Sequence, residues 1–104
     1  MARLLSVLAV AAVLLGCTTY KMWNEESADR DLGLVQLSYE YHKWENPQVD
    51  ERAGIQTARE HCRDWGYRDA SRKSEDRQCV DGNPSSCSKW KVIREYQCLR
   101  ELAK

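Results

Sequence analysis

The sequence predicts a small α+β domain in which one helix packs on a three-stranded antiparallel sheet, in the order β-α-β-β, with disulfides between the elements. Three observations predict this fold. Two segments alternate apolar and polar residues with a period of two, which is typical of half-buried strands. A segment between them repeats apolar residues every three or four positions, which is typical of an amphipathic helix. The 104-residue chain also contains five cysteines, and short exported domains often use disulfides to supplement a small core.

The first strand is predicted within residues 32–44. Its alternation places four side chains on one face: Val35, Leu37, Tyr39 and Tyr41. Aromatic and β-branched side chains suit the pleated surface of a half-buried sheet. Asn46-Pro47 is predicted to end this strand, because proline has no backbone N–H for the ladder.

A helix is predicted to begin after Asp50, whose carboxylate can accept a bond from an unpaired backbone N–H of the first turn. Its apolar stripe consists of Ile55, Ala58, Cys62 and Trp65. Gly66 suits the left-handed position just after a helix, where Tyr67 can fold back towards Cys62. Gly54 is a predicted weak point, since glycine inside a helix costs about 1 kcal/mol relative to alanine.

The last third of the chain predicts a hairpin. Residues 72–80 are polar enough for an edge strand, residues 81–86 have the composition of a turn, and residues 88–99 alternate again. One face of the last strand carries Trp90, Val92, Tyr96 and Cys98, with Arg94 interrupting the apolar pattern.

The aromatic residues are four tryptophans and five tyrosines, with no phenylalanine. Their polar ring atoms suit half-buried sites and interfaces. The alternation predicts that five of them belong to the core: Tyr39, Tyr41, Trp65, Trp90 and Tyr96. Trp23 and Trp44 lie outside this pattern, and we expect them to contact the membrane surface or a partner.

Residues 1–16 are predicted to be a signal peptide. A positive charge at Arg3 precedes twelve residues, Leu4 to Leu15, that are apolar except for Ser6. Twelve residues are too few for a membrane span, which needs about 20, but they match the apolar region of a signal peptide. Leu14-Leu15-Gly16-Cys17 resembles a bacterial lipobox. An ordinary signal peptide and an uncleaved anchor are the alternatives.

The lipobox resemblance implies that the Cys17 thiol receives a diacylglyceryl group and that the chain is cut between Gly16 and Cys17. It further implies transfer to the outer membrane, because Thr18 rather than aspartate follows the cysteine. The domain organisation is then a signal peptide over residues 1–16, a lipidated Cys17 with a flexible tether over residues 17–31, and the folded domain over residues 32–104.

Four cysteines follow Cys17, and an even number in a short exported chain predicts a disulfide framework. They are Cys62, Cys79, Cys87 and Cys98. Zinc is disfavoured, because zinc sites usually contain closely spaced cysteine pairs that are absent here. Cys62 lies on the apolar stripe of the helix and Cys98 on the apolar face of the last strand, so we expect these two to pair. Cys79 and Cys87 flank the hairpin turn and are expected to form the second bridge.

The charge balance argues against nucleic-acid binding. Removing Arg3 with the signal peptide leaves 15 basic against 16 acidic residues, a net charge of −1, with no basic cluster. No catalytic, cofactor-binding or metal-binding residues are predicted. His61 adjoins Cys62, but neighbouring helix residues point about 100° apart and do not meet. His42 has no metal-ligand partner at a usual spacing.

Several acidic residues are predicted to be a solvated face rather than an acid/base pair: Asp64, Asp69, Glu75 and Asp76.

The chain resembles the YecR-like lipoprotein family between about Leu34 and Cys98. The motifs that carry the resemblance are the lipobox, "SYEYHKWENPQVD", Ala58-x₃-Cys62-x₂-Trp65-Gly66-Tyr67, Cys79, Cys87 and "EYQC". The resemblance implies a lipid-anchored envelope protein of no defined activity, bound to a membrane through its N-terminal lipid. We expect a structural or interaction role with an unknown envelope partner, in the outer membrane facing the periplasm. A small ligand-binding or sensory periplasmic domain is the alternative.

Overall fold

Two sheets and one helix make up residues 18–101, the part of the chain that this computed structural model describes. The elements are β1 Thr18–Lys21, β2 Asn24–Asp29, β3 Leu34–His42, β4 Asn46–Val49, α1 Glu51–Asp64, β5 Asp69–Asn83 and β6 Ser86–Leu99. The main sheet is antiparallel with strand order β2-β3-β6-β5, and β1 and β4 form a separate two-stranded parallel sheet. The predicted signal peptide and Cys17 lie outside the described residues.

The prediction of a three-stranded sheet in the order β-α-β-β is wrong, because three further strands are present. The segment predicted to be a flexible tether, residues 17–31, contains β1 and β2. β2 pairs antiparallel with β3 from Asn24↔Ser38 to Asp29↔Leu34. All six side chains of β2 are exposed. A strand without a buried face shows no apolar alternation. Its backbone ladder and polar side-chain contacts hold β2 in place, among them a bond from the Ser38 hydroxyl to Glu26 and the ion pair of Glu26 with Lys91.

Pro47 was expected to end strand structure, but it lies inside β4. This strand pairs in parallel with β1, from Thr18↔Asn46 to Lys21↔Val49. β4 has a single partner, so proline can direct its missing N–H away from the ladder. The sequence pattern therefore identified the end of β3 but not the short strand that follows.

The alternation predicted for β3 is confirmed, with Val35 and Leu37 buried. β3 pairs with β6 from Leu34↔Gln97 to His42↔Lys89. The predicted hairpin is also present, although β5 and β6 are longer than expected, and β5 forms the sheet edge.

The helix signals were read correctly. The Asp50 carboxylate accepts bonds from two backbone N–H groups of the first turn. Gly66 has a φ of +95°, and the Tyr67 N–H donates to the Cys62 carbonyl at 2.9 Å, as in a Schellman ending. Within residues 18–101, no helix is both long and apolar enough to cross a membrane.

The core lies between α1 and the end of the main sheet where β3 begins. Its buried members are Val35, Leu37, Ala58, Cys62, Ala70, Tyr96 and Cys98. Trp23, expected outside the core pattern, packs against this cluster, and its indole N–H donates to the Asp50 carbonyl at 2.9 Å. Four of the five aromatic residues predicted for the core are only half-buried: Tyr39, Tyr41, Trp65 and Trp90.

Gly54→Ala is expected to destabilise the domain, although alanine favours helix by about 1 kcal/mol. A Cβ on Gly54 would lie 2.7 Å from the Tyr96 hydroxyl and 2.9 Å from the Trp23 indole nitrogen. Overpacking of this kind typically costs about 1–3 kcal/mol, which exceeds the gain in propensity. Urea unfolding measures the balance. A higher midpoint for the variant would mean that the two rings can move aside freely.

Candidate functional site

α1 covers only part of one face of the main sheet, and the same face continues beyond it. In the register of β3 and β6, Tyr39 lies opposite Val92 and Tyr41 lies opposite Trp90. Residues two apart on a strand share a face, so these side chains lie on the face that α1 packs against. The half-buried rings of Tyr39, Tyr41 and Trp90 form the part that the helix leaves accessible.

A cleft of about 400 Å³ lies on this accessible part, which we call the aromatic cleft. Its lining includes Tyr39, Tyr41, Pro47, Glu75, Arg77 and Val92. The ring centroids of Tyr39 and Tyr41 are 6.3 Å apart, and Tyr39 also meets Trp23 edge-on at 5.2 Å. The cleft therefore presents connected aromatic rings between the main sheet and β4.

Arg77 joins two of the strands around the cleft. Its guanidinium carbon lies 4.0 Å from the centroid of the Trp90 ring, a close cation–π contact. One of its N–H groups donates to the Tyr41 hydroxyl at 3.2 Å. A guanidinium held over an indole and against a phenol is the kind of anchor that protein interfaces use often.

Arg94 lies beside the cleft and is almost completely buried, with 4% of its side chain exposed. Its guanidinium binds both oxygens of Glu51 from α1, and it binds Glu75 from β5 at 2.6 and 2.8 Å. The Trp23 ring lies 4.7 Å from its guanidinium carbon. Arg94 therefore ties β6 to both the helix and the edge strand.

The ionisation states around the cleft are fixed by these contacts. Burial would lower the pKa of Arg94, but hydrogen bonds with Glu51, Tyr96 and Glu75 raise it above its usual range. Burial, followed by the negative charge of Glu75, raises the pKa of the Tyr39 phenol. Arg94 thus stays charged and Tyr39 stays protonated at neutral pH, which suits recognition better than proton transfer.

The two disulfides are Cys62–Cys98 and Cys79–Cys87, the pairing expected from the sequence. The first joins α1 to the end of β6 inside the core, with Cα atoms 5.4 Å apart. The second joins β5 to β6 near the tip of their hairpin, with Cα atoms 5.8 Å apart.

The histidines lie in different places. The His42 ring stacks on Trp44 at 5.4 Å, and His61 Nε2 lies 3.3 Å from the Glu25 carboxylate. In the described part of the chain, no three or more His, Cys, Asp or Glu side chains are grouped so that they could hold a metal ion.

The prediction of a solvated acidic face is wrong for Asp69, which is buried and binds the Arg59 guanidinium at 2.7 Å. Glu75 is exposed, as predicted, but it also binds Arg94. In the sequence, Arg94 is visible only as an interruption of an apolar strand face. A basic residue at a core-facing strand position is a signal of a buried cation. The carboxylates that pair with Arg94 could not be identified in the same way, because they come from distant segments of the chain. Trp23 had no comparable signal, because it lies between two short polar strands.

An ion pair joins β1 of the parallel sheet to the residue that precedes β4. Lys21 Nζ lies 2.9 Å from the Glu45 carboxylate, and Glu45 also accepts a bond from the His42 N–H at 2.7 Å. The His42 N–H is the first cause, and the Lys21 ammonium the next, of a pKa for Glu45 lowered from 4.5 to about 2. Glu45 thereby joins β1 to the turn that follows β3.

Glu45→Gln is expected to lower the unfolding midpoint near pH 7, and the difference from the wild type should vanish in strong acid. The folded pKa lies below the ordinary value, so this contribution is present above about pH 4.5 and is lost as the pH falls through about 2. Urea unfolding of both proteins across this range checks the expectation. A difference that stays constant down to pH 2 would exclude the Glu45 charge as its cause.

The fold and the site define a small disulfide-linked domain of the kind found in oxidising compartments, with a helix on a four-stranded sheet and an open aromatic cleft. A family model described as YecR-like lipoprotein matches residues 22–99, and the chain belongs to this family. The protein is therefore a lipoprotein of the bacterial cell envelope and is associated with a membrane. No curated protein matches the chain.

Proposed function

We propose that this lipoprotein is an interaction protein without catalytic activity, and that its aromatic cleft binds a segment of another envelope protein. The observation that carries the proposal is the half-open cleft itself, in which Arg77 is held against Trp90 and Tyr41. Aromatic residues and arginine are enriched at the centres of protein interfaces.

The charges around the cleft favour binding over catalysis. The Arg94 guanidinium and the Glu75 carboxylate are bound to each other, so neither is available to a substrate as an isolated charge. The raised pKa of Tyr39 keeps its hydroxyl as a hydrogen-bond donor. These groups can supply flat apolar surface and oriented donors to a peptide, which is what recognition needs.

We propose that the anchor is an acylated Cys17, with residues 1–16 removed and the mature protein in the outer membrane facing the periplasm. The lipobox resemblance and membership of a lipoprotein family support this. Metabolic labelling with a fatty acid should label the wild type and not Cys17→Ala. Equal label in both proteins would contradict acylation of Cys17. Recovery of the mature protein mainly in the inner membrane would contradict the outer-membrane location.

Site-specific photocrosslinking in cells tests the binding role. A photoreactive phenylalanine analogue at Tyr41 should give a discrete adduct with an envelope protein. The matched control is the same analogue at Glu40, the neighbouring residue, whose side chain points to the opposite face of β3. The adduct should be lost in Arg77→Ser. Equal adducts from both positions, or no adduct from Tyr41, would contradict a partner in the cleft.

A small ligand is the second candidate, and the size of the cleft favours it. Its volume of about 400 Å³ falls within the range of roughly 300–1,000 Å³ typical of ligand pockets. Native mass spectrometry of protein isolated gently from cells separates the two candidates. A bound small molecule that is lost in Tyr41→Ser, a change in the cleft lining, would favour the ligand, whereas a protein adduct that depends on Arg77 favours the partner.

A further inference from the structure

The parallel sheet of β1 and β4 has one face on which every side chain is uncharged. Its alternation turns Thr18, Tyr20, Asn46 and Gln48 outwards. Two exposed residues flank these strands: Met22 follows β1, and Trp44, in the turn before β4, stacks on the His42 ring. We call these six residues the outer face. Its three large members are the most exposed apolar side chains of the described residues: Tyr20 at 85%, Met22 at 85% and Trp44 at 67%. The ion pair of Lys21 with Glu45 belongs to the opposite, inward alternation.

The outer face lies where the chain arrives from its anchor position. Thr18 begins β1 and follows Cys17 directly in the sequence. Asn46 is the register partner of Thr18, so Trp44, two residues earlier, lies at the same end of the sheet as the arriving chain. One residue spans at most about 3.6 Å. A lipid on Cys17 would therefore hold this end of the sheet at the membrane surface.

We infer that the outer face lies in the headgroup layer of the membrane that holds the lipid anchor. This inference rests on the proposed acylation of Cys17. Tryptophan and tyrosine rings concentrate at headgroup depth, where one side of the ring is apolar and the other is wet. Met22 adds apolar surface, while the hydroxyl and amide groups of Thr18 and Gln48 can hydrogen-bond to headgroups. None of the six residues is a carboxylate, and the two carboxylates that line a cleft with Tyr20 and Met22, Glu26 and Glu40, are paired with Lys91 and Lys89.

This docking would also orient the aromatic cleft. Pro47 lines the cleft and belongs to the inward alternation of β4, between the outward residues Asn46 and Gln48. The two faces of one sheet would thus contact the membrane on one side and border the cleft on the other. The aromatic cleft would then be held at a fixed, short distance from the bilayer, and a protein that binds the cleft would bind it there rather than at the end of a flexible tether.

Tryptophan quenching by brominated lipids tests the inference on the full lipidated protein. The protein is purified from membranes and reconstituted into phosphatidylethanolamine–phosphatidylglycerol vesicles that carry bromine near the top of the acyl chains. The fluorescence of Trp44 is obtained by subtracting the emission of Trp44→Ser from that of the wild type. We expect about half of this emission to be lost, because a ring at headgroup depth comes within contact range of the bromine.

The matched variants separate docking from a general loss of apolar surface. Tyr20→Ser combined with Met22→Ser should reduce the quenching of Trp44. Leu32→Ser should not, although Leu32 is 63% exposed, because it lies before the start of β3 and Trp44 lies after its end.

Trp44 emission that is quenched by aqueous acrylamide but not by brominated lipid would overturn the inference, with the face in water. Emission shielded from both quenchers would also overturn it, with a protein or a second copy covering the face. Flotation of the vesicles in every sample measures membrane anchoring independently of the Trp44 quenching. Protein that floats with an unquenched Trp44 contradicts docking alone, whereas protein that fails to float contradicts both docking and the proposed anchor.

Discussion

Breaking the Cys62–Cys98 disulfide is expected to cost the domain more stability than breaking Cys79–Cys87. The two bridges span 36 and 8 residues. In the chain-entropy model these loops contribute about 3.8 and about 2.5 kcal/mol at 25 °C. Burial widens the difference, since Cys62 and Cys98 belong to the core cluster and alanine there removes packed sulfur atoms.

The comparison is made by urea unfolding of two double variants, Cys62→Ala with Cys98→Ala and Cys79→Ala with Cys87→Ala. Replacing both cysteines of each pair prevents a freed thiol from forming a new bridge. We expect the core variant to lose at least about 1 kcal/mol more than the hairpin variant. Equal losses, or a larger loss from the hairpin variant, would place the main contribution to stability in the β5–β6 hairpin instead of the core.

Removing the two carboxylates that hold Arg94 is expected to destabilise the domain more than removing Arg94 itself. Glu51→Gln combined with Glu75→Gln would leave a buried guanidinium without a counter-charge, which typically costs about 3 kcal/mol or more. Arg94→Met would keep an apolar stem of similar length. It would leave behind two carboxylates whose side chains are 64% and 34% exposed and can be solvated. We expect a cost of about 1–2 kcal/mol for this variant, from lost hydrogen bonds.

Urea unfolding near neutral pH again gives the comparison. Lys89→Met is a suitable control, because Lys89 lies on the same strand as Arg94 and forms an exposed ion pair with Glu40 of β3, and such pairs contribute about 0–1 kcal/mol. If Arg94→Met proves the more damaging change, the guanidinium contributes mainly through packing against Trp23, and its charge is of less consequence.

Helix α1 was largely predictable because its signals are local. The cap at Asp50, the glycine at Gly66 and the stripe through Cys62 each act within a few residues of chain, and the structure has all three. The disulfide pairing followed from similar patterns, since Cys62 lies on the apolar stripe of the helix and Cys98 on the apolar face of the last strand, while Cys79 and Cys87 flank one turn. Among the site residues, Tyr39 and Trp90 were expected on the sheet face but deeper than they lie.

The sequence by itself therefore determined the helix, the central strands, the cross-links and membership of a lipoprotein family. Tertiary structure alone decided the positions of β2 and of the β1–β4 sheet, because these short strands have no buried apolar face that a sequence pattern could indicate. It also decided the role of Arg94, whose partners lie 43 and 19 residues away in the chain. The sequence predicts Gly54 as a weak point of the helix, whereas the structure requires the absence of a side chain there. The rings that occupy the space beside Gly54 come from β6 and from the segment before β2.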